Sequence, residues 1–470
     1  MFELPKYTSF RSIASPWLER IPSHWQAVRT KSMLHERSIK GYPDEPLLAA
    51  TQTHGVIRKS EYGARTVTAT KDLHLLKLVE VGDFVISLRS FQGGIERCYH
   101  RGIISPAYTV LTANSETYRD YLTHLFKSTP FISSLSLAVT GIREGQTIDY
   151  SKLATELLPV PPPDEQAAIV KYLAHANARI DKAIAAKRRL MALLLESRAT
   201  SIDALVLGRE VTDRTTSMAP WLQSIPVGWQ WRRCRTITSF ITSGSRGWAE
   251  YYSDHGAMFL QSGNLGRRLD LKLGDVQRVA LPPSVTEGLR TRVEARDLLV
   301  CITGALTGNV ALVPHSWDDE AYVNQHVALL RPRHEAVNPE FLGYAMKAMP
   351  SQVQFRGSEY GGTKQGLGLD EIKNLEVLLP PLSEQDRIVD QIGVVARRTD
   401  AAIKRAEREI ELLTEFRTRL VADVVTGQVD VRGVAASLPE VDADAMWAGS
   451  DAASGSDTSE FEDLVEVGED

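Results

Sequence analysis

Leu158-Pro159-Val160-Pro161-Pro162-Pro163-Asp164-Glu165-Gln166 precedes one long apolar periodicity, and Leu379-Pro380-Pro381-Leu382-Ser383-Glu384-Gln385 precedes another. In the first, Ile169, Leu173, Ala176, Ile180, Ala183, Lys187, Leu190 and Leu194 alternate spacings of four and three, with Lys187 the polar intruder. In the second, Ile388, Ile392, Val395, Thr399, Ala402, Ala406, Ile410, Leu413, Phe416, Leu420 and Val424 do the same. An apolar stripe with a period near 3.5 is the seam of a coiled coil. The prolines stop what comes before, Asp164 or Ser383 is expected as N-cap, and Glu165 or Glu384 falls in the first turn, where the helix dipole favours an acid. Gly208 and Gly427 mark the two C-termini. At 1.5 Å per residue each helix is roughly 60 to 65 Å long. Two such seams in one chain are best satisfied by packing on each other, antiparallel. The alternative is that each helix packs only on its own domain.

The repetition extends outward. Pro16-Trp17-Leu18, Ile21-Pro22 and Trp25-Gln26 recur as Pro220-Trp221-Leu222, Ile225-Pro226 and Trp229-Gln230, at an offset of 204 residues. Glu165-Gln166 with Ile169-Val170 recurs as Glu384-Gln385 with Ile388-Val389, at an offset of 219, so the second copy carries insertions. A period this long is domain duplication and not a solenoid. Val81-Gly82-Asp83-Phe84-Val85-Ile86-Ser87-Leu88 reads as a turn followed by a strand, and Arg296-Asp297-Leu298-Leu299-Val300-Cys301-Ile302 is its counterpart. Tyr121-Leu122 through Lys127 to Pro130 matches Phe341-Leu342 through Lys347 to Pro350, each a helix stopped by proline. The expected class is α+β: two duplicated α/β domains separated by two long antiparallel coiled-coil helices with pseudo-two-fold symmetry. The expected boundaries are 1–157 and 211–378 for the domains, 158–210 and 379–432 for the helical spacers, and 433–470 for a tail.

Composition fits a multidomain globular chain: 470 residues, 43% hydrophobic and 24% charged. No apolar run is long enough for a membrane span, and no export signal opens the chain, which gives a cytoplasmic expectation. Cys98, Cys234 and Cys301 are far apart and lack metal-ligand spacing. The net charge of −5 conceals an asymmetry. Beyond Arg432 there are 11 acids and no base, leaving 54 basic against 48 acidic residues, or +6, over residues 1–432. The tail reads as disordered and acidic, while the body is mildly basic and permits nucleic-acid binding.

The ordered set of motifs, Pro-Trp-Leu…Ile-Pro-x-x-Trp opening each half and Leu-Pro-x-Pro-Pro-x-x-Glu-Gln-x-x-Ile-Val opening each long helix, resembles the specificity subunit of type I restriction–modification enzymes over residues 15–432. The first copy departs slightly, with Asp164 and an extra proline where Ser383 stands. The resemblance implies a non-catalytic, DNA-reading subunit. It implies two target recognition domains, each taking half of a bipartite, asymmetric site in double-stranded DNA. The helices would fix the spacer and bind two modification subunits that methylate adenine with S-adenosylmethionine. Restriction subunits using ATP and Mg would join them. No cofactor is expected on this chain itself. A methylation-only or other restriction-like defence system is the neighbouring alternative; an autonomous nuclease or methyltransferase and a purely structural scaffold are the distant ones.

Base readers are expected in divergent polar loops. In the first domain these are Thr51, Gln52 and His54 (with Thr53 between them), Arg58 and Lys59, Arg89 and Gln92 after the strand, and Arg143 to Gln146. In the second they are Ser245 and Arg246, Gln261 to Arg268 including Asn264 and Arg267, Thr303 to Asn309, Asn324-Gln325-His326, and Lys364 with Gln365. Arg suits guanine O6/N7, and Asn or Gln suits adenine N6/N7. The plainer alternative for each is a solvated surface loop. Trp17, Trp25, Trp221 and Trp229 recur at one spacing and are expected in the framework core rather than against bases. Gly361-Gly362-Thr363-Lys364 lacks phosphate-loop spacing, and no Asn/Asp-Pro-Pro-Tyr/Phe is present. Asp370-Glu371-x-Lys373 has the Glu-x-Lys of a nuclease metal site, but Leu369, Ile372 and Leu375 point to a short surface helix.

Overall fold

Why should a proline-rich stretch launch a 44-residue helix? In the computed structural model, which describes residues 4–52, 54–62, 72–88, 90–140, 147–244, 246–286, 290–358 and 366–440, the helices run Pro163–Val206 and Leu382–Val425. The carbonyls of Pro162 and Pro381 accept the first helical hydrogen bonds, from Glu165 and Gln166 and from Glu384 and Gln385. The caps are therefore these prolines. Asp164 and Ser383, expected as caps, lie two positions further in, each the second residue of its helix; in the first helix Pro163 takes the first position, which its fixed φ suits. Gln166 Nε2 then donates back to Pro161 O at 2.8 Å, and Gln385 Nε2 to Pro380 O at 2.9 Å, fixing the strand-to-helix corner. Both helices end alike. Arg209 N bonds Ala204 O and Gln428 N bonds Asp423 O, with Gly208 and Gly427 in the left-handed region that such an ending requires.

The chain forms two compact units, one built from residues up to Arg189 and from Ala406 onward, the other from Leu190–Arg405, so each contains part of both helices. In the first unit Asp181 pairs with Arg417, and Lys187 with Glu409 at 2.5 Å. Partner numbers fall as the helix numbers rise, so these segments are antiparallel. In the second unit Arg198 pairs with Asp400 at 2.8 Å, while Val206 shares a core with Ile388 and Ile392. The seam holds at Ile169, Leu173, Ile180, Ile388, Ile392, Thr399, Ala406, Leu420 and Val424, all buried. It departs at two places. Met191 is buried and Leu190 is 43% exposed, so the stripe steps by four after Lys187, where three was expected. Likewise Ile403 is buried and Ala402 only partly so. An α-helix turns every 3.6 residues, and a strict 3.5 repeat drifts off its face unless such a step intervenes.

The globular part of the first unit centres on an antiparallel sheet in the order Leu34–Arg37, Thr109–Ala113, Phe84–Ile86, Glu96–Arg97. The second repeats it as Thr238–Ser243, Val327–Pro332, Leu298–Cys301, Val310–Leu312. The second also has an added sheet, Tyr252–Ser253, Gln277–Val279, Ala257–Leu260 and Ala321–Val323, whose last pair is parallel. Strand Gln26–Arg29 pairs with Leu157–Val160, and Gln230–Arg233 with Glu376–Leu379, so the run before each proline corner is anchored to the repeat's opening segment. Pro130 and Pro350 do more than end helices. They sit in the first turns of second helices, Thr129–Leu135 and Met349–Ser358, after helices Glu116–Phe126 and Pro339–Lys347.

Helix ends complete each core. In the first unit Leu420, Val424, Val425 and Val431 join Trp25, Ile169 and Leu173, and Tyr121 Oη lies 2.9 Å from both Pro159 O and Val425 O, which share its one hydrogen. In the second, Val206 and Leu207 join Ile225 and Trp229. Trp25 and Trp229 are core residues at 1% and 5% exposure, and Trp17 packs edge-on against Phe131 at 5.8 Å. The folded body also extends past Arg432. A short helix, Arg432–Ala436, buries Ala435, and Lys171 Nζ reaches Glu440 at 2.6 Å, so the first eight residues of the expected tail belong to the first unit. Residues 441–470 lie outside the described ones.

The glycine at the end of the second helix is a strict requirement. Gly427 has φ +72°, and a Cβ there would lie 2.5 Å from Pro22 Cδ. Gly427→Val should destabilise the chain by about 2 kcal/mol or more, whereas Gly433→Ala, in open space, should stay within about 0.5 kcal/mol. Chemical denaturation of the two variants beside wild type checks this.

Candidate nucleic-acid interface

In the second unit the polar loops expected to carry readers converge at one end of the sheets. Strand Ala257–Leu260 leads into Gln261, Leu298–Cys301 into Thr303, Ala321–Val323 into Asn324, and Thr238–Ser243 into Gly244. The loops are stitched together by backbone bonds: Asn324 N to Leu260 O, Ile302 N to His326 O, Gly244 N to Val327 O and Leu367 N to Ile302 O. The approach at Gly244 is so close that a Cβ would lie 1.9 Å from Val323 O. Asn324 is buried and builds its own turn, its Oδ1 accepting from His326 N at 3.0 Å. Gln325 and His326 form the tip. Gln325 Nε2 lies 3.0 Å from His326 Nε2, and His326 Nδ1 lies 2.5 Å from Thr303 Oγ1. With the amide donating to Nε2, the ring proton sits on Nδ1 and is donated to Thr303. Gln325 then keeps its Oε1 acceptor and a second amide hydrogen to offer, the pattern that complements an adenine edge.

The first unit builds the corresponding turn from other residues. Ser105 Oγ accepts from Ala107 N at 3.3 Å and Ser105 O from Tyr108 N at 3.1 Å, matching Asn324 Oδ1 with His326 N and Asn324 O with Val327 N. The tip is therefore Ser105-Pro106-Ala107 in one copy and Asn324-Gln325-His326 in the other. The hairpin Leu48–Thr51 with Gly55–Arg58 puts Gln52 at its turn. Thr51 is buried there, donating to Gly55 O at 2.9 Å and accepting from His54 N at 2.9 Å. Gln52 and Gln92 are exposed, and the two loops meet: a Cβ on Gly93 would be 2.8 Å from Gln52 Cγ. Arg58, opposite Leu48, and Lys59 stand at the other end of this hairpin, with Arg58 3.7 Å from Glu61.

The candidates thus divide. Gln52, Gln92, Arg246 and Arg267 are exposed, while Thr303 and Gln325 are half-buried beside the exposed His326. Thr51, Asn264, Asn309 and Asn324 spend their polar atoms on shaping the loops. Asn264 Oδ1 accepts from Gln261 N and its Nδ2 donates to Lys272 O. Asn309 Nδ2 donates to Leu265 O at 2.9 Å while its Oδ1 accepts from Lys347 at 2.9 Å. Arg268 is held 3.3 Å from Asp400 of the second long helix. Arg89, Arg143, Gln146, Ser245, Lys364 and Gln365, with Thr53, lie outside the described residues. Sequence reasoning missed Tyr252, a 46% exposed ring whose hydroxyl lies 3.5 Å from Gln261 Nε2. It also missed the lysines Lys127 and Lys347 beneath these loops.

Two charges here are displaced by burial. Desolvation pushes the Glu96 carboxyl up to about 7 against the pull of Lys127, and pulls the Lys347 ammonium down to about 8. Among the described residues no three His, Cys, Asp or Glu side chains come together as a metal-binding group. Asp370-Glu371-x-Lys373 lies on the short helix Leu369–Asn374, with Lys373 paired to Asp370 at 3.0 Å and Ile372 buried. No helix among the described residues is long and apolar enough to cross a membrane.

The family model described as the type I restriction modification DNA specificity domain matches residues 291–412. Over that segment the chain is similar to type I restriction–modification specificity subunits. It is 25% identical over 287 residues to the type I restriction enzyme EcoBI specificity subunit of Escherichia coli, a stretch spanning 59% of this chain and 59% of that relative. A solved chain from a study of assembly and conformational transition in the type I R-M system aligns over 87% of this chain and 99% of its own, at 18% identity and a TM-score of 0.55. That likeness shows the fold. The HsdS subunit from Thermoanaerobacter tengcongensis aligns over 87% of this chain and 98% of its own at 19% identity, with a TM-score of 0.46. The matched segment 291–412 takes in Thr303, Asn309, Asn324, Gln325 and the second proline corner, Pro380-Pro381.

Loop builders and exposed tips should separate by stability. Asn309→Ala leaves Leu265 O without its amide donor and Lys347 without its closest acceptor, an expected loss of about 1 to 3 kcal/mol. Gln52→Ala, Gln92→Ala and Arg246→Ala should each stay within about 0.5 kcal/mol of wild type in thermal or chemical denaturation.

Lys347 also predicts a pH dependence. Between about 8 and its ordinary 10.5 the folded chain binds fewer protons at this amine than the unfolded chain does, so stability rises with pH across that window. Lys347→Met should remove that part of the rise. Denaturation midpoints from pH 7.5 to 10.5, wild type minus variant, measure it.

Proposed function

We propose that this chain is the DNA-specificity subunit of a type I restriction–modification complex and carries no catalytic centre of its own. The observation that supports this reading best is the pair of frameworks with one strand order and one turn geometry but different tips, Ser105-Pro106-Ala107 and Asn324-Gln325-His326. One domain, within residues 1–157, reads one half of a bipartite site in double-stranded DNA; the other, within 211–378, reads the second half. The long helices set the spacer and dock two modification subunits, which methylate adenine with S-adenosylmethionine. Restriction subunits using ATP and Mg complete the complex in the cytoplasm.

In this reading these tips contact base edges: the exposed Gln52 and Gln92 in the first domain, and the exposed Arg246 and Arg267 with the half-buried Thr303 and Gln325 in the second. Arg89, Arg143, Gln146, Ser245, Lys364 and Gln365 remain proposed readers on their loop positions in the sequence, and His54, Arg58 and Lys59 on theirs. Thr51, Asn264, Asn309, Asn324 and Arg268 act by shaping the loops. Phosphate contacts by the body's excess of base would supply salt-sensitive affinity without sequence information, and the tips the discrimination. Supplying two different half-sites needs two different tip sets on equivalent frames.

Exchanging residues 1–157 for the equivalent domain of a relative with another target should change one half of the methylated motif and leave the other intact. Sequencing of methylated adenines in cells carrying the hybrid reads this directly. A change in both halves together would refute the two-reader assignment, and methyl transfer by the purified chain alone would refute its non-catalytic role.

A further inference from the structure

Lys127 and Lys347 occupy equivalent places, each at the C-terminal end of its helix, Glu116–Phe126 or Pro339–Lys347. Lys127 Nζ donates to Gln52 O at 3.1 Å, Gly93 O at 2.8 Å and Glu96 Oε1 at 2.5 Å. An ammonium has three hydrogens, and all three are used. Two of these acceptors belong to different loops: Gln52 follows strand Leu48–Thr51, and Gly93 lies between strands Phe84–Ile86 and Glu96–Arg97. Lys347 joins the matching loops of the second domain through one intermediary. Its Nζ donates to Asn309 Oδ1 at 2.9 Å and Val310 O at 3.4 Å, and Asn309 Nδ2 passes the link to Leu265 O at 2.9 Å and Gly266 O at 3.4 Å. Asn309 lies between strands Leu298–Cys301 and Val310–Leu312, and Leu265 follows strand Ala257–Leu260. The same two loops are therefore clasped by a lysine in each domain, directly in one and by way of an asparagine in the other.

We infer that Lys127 and Lys347 are positioning residues for base readout, each locking the relative placement of the two reader loops of its own domain. The inference rests on the proposed reading of these loops as DNA-contacting. Lys127 has no hydrogen left for a phosphate, and Lys347, desolvated by burial, has two of its three committed to these acceptors, so the effect of each is expected through loop geometry. A shift of about 1 Å in a hydrogen-bonding tip is enough to spoil a bidentate match to a base edge, where the wrong pairing costs about 1 to 3 kcal/mol. The burial that lowers Lys347 to about 8 suits a link built from neutral acceptors, whereas Lys127 faces the Glu96 carboxylate.

The experiment uses the complex of full-length chain and modification subunit on duplexes carrying the wild-type motif, together with duplexes substituted singly in each half. For Lys127→Met the ratio of methylation rates, motif over mismatch, should fall about tenfold or more for one half only. For Lys347→Met it should fall for the other half only. The slope of binding against salt should be unchanged in both. Lys127→Gln, which keeps two amide hydrogens for the loop carbonyls, should recover part of the lost discrimination, and it decides the matter if the Met variant does not fold. Unchanged discrimination, an equal loss in both halves, or a salt slope reduced by about one would overturn the inference, the last by marking a phosphate contact. If the wild-type complex methylates no split site, the functional reading fails instead, and the two failures are distinct.

Discussion

Everything in the first unit depends on a helix end reaching a core that lies about four hundred residues away in sequence. Tyr121 Oη bonds Val425 O across 304 positions, and Gly427 fits against Pro22 and Trp25 where no Cβ could. Val424 and Val425 are fully buried in the same cluster as Trp25 and Ile169. The opening motif is thus a socket. Its tryptophan and proline form a wall for the C-terminal glycine of a long helix, and the second unit repeats this with Gly208 against Pro226 and Trp229. Closing so long a loop carries an entropic cost that grows only slowly with length, and the buried helix end offsets it.

Given that socket, the proline corners follow. A strand must leave the sheet and become a helix whose seam is already aimed, with little freedom at the joint. Two or three consecutive prolines stiffen the joint, the glutamine side chain returns to a proline carbonyl, and the glutamate takes bonds from the socket. Glu165 is held by Tyr7 and by His24 at 2.7 Å, and Glu384 accepts from Trp229 Nε1 at 3.2 Å. The Glu-Gln pair is therefore two contacts in opposite directions, one into the helix start and one into the socket. Their adjacency in sequence is the reason the motif is short.

The frame was legible in the sequence because it is written twice and because seams, glycine ends and buried tryptophans have one physical meaning each. The loops were not. Asn309 and Gln325 look alike in sequence, polar residues between strands, yet one spends all its bonds on neighbouring loops and the other stands at a tip. Nothing local distinguishes them, since Asn309's partners are 44 residues before it and 38 after. Arg268 was equally opaque, its partner Asp400 being 132 residues away. Within the long helix, whether Leu190 or Met191 faces the seam is decided by where the 3.5 stripe yields to a 3.6 turn, which composition alone does not locate. Lys127 and Lys347 were visible as a matched pair. Their role was hidden because a lysine at a helix C-terminus already has an ordinary explanation in the dipole.

The two copies also show how much chemistry a fixed frame can exchange. Each sheet carries a buried aspartate at the head of its central strand, preceded by a left-handed residue: Gly82 before Asp83, and Arg296 before Asp297. Both carboxylates accept a backbone N–H three residues back, at 2.7 and 2.8 Å. The remaining lone pairs are met differently. Arg37 on an edge strand and Thr112 on the neighbouring one serve Asp83, whereas Arg331 grips Asp297 through two nitrogens at 2.9 and 2.8 Å. Under the loops, an ion pair in one copy is replaced by a lysine–asparagine link in the other. A buried charge demands a partner but does not dictate which strand provides it. The backbone geometry is thus held by requirements that several residue sets satisfy, and this leaves the tips of each domain free to differ without loosening the frame beneath them.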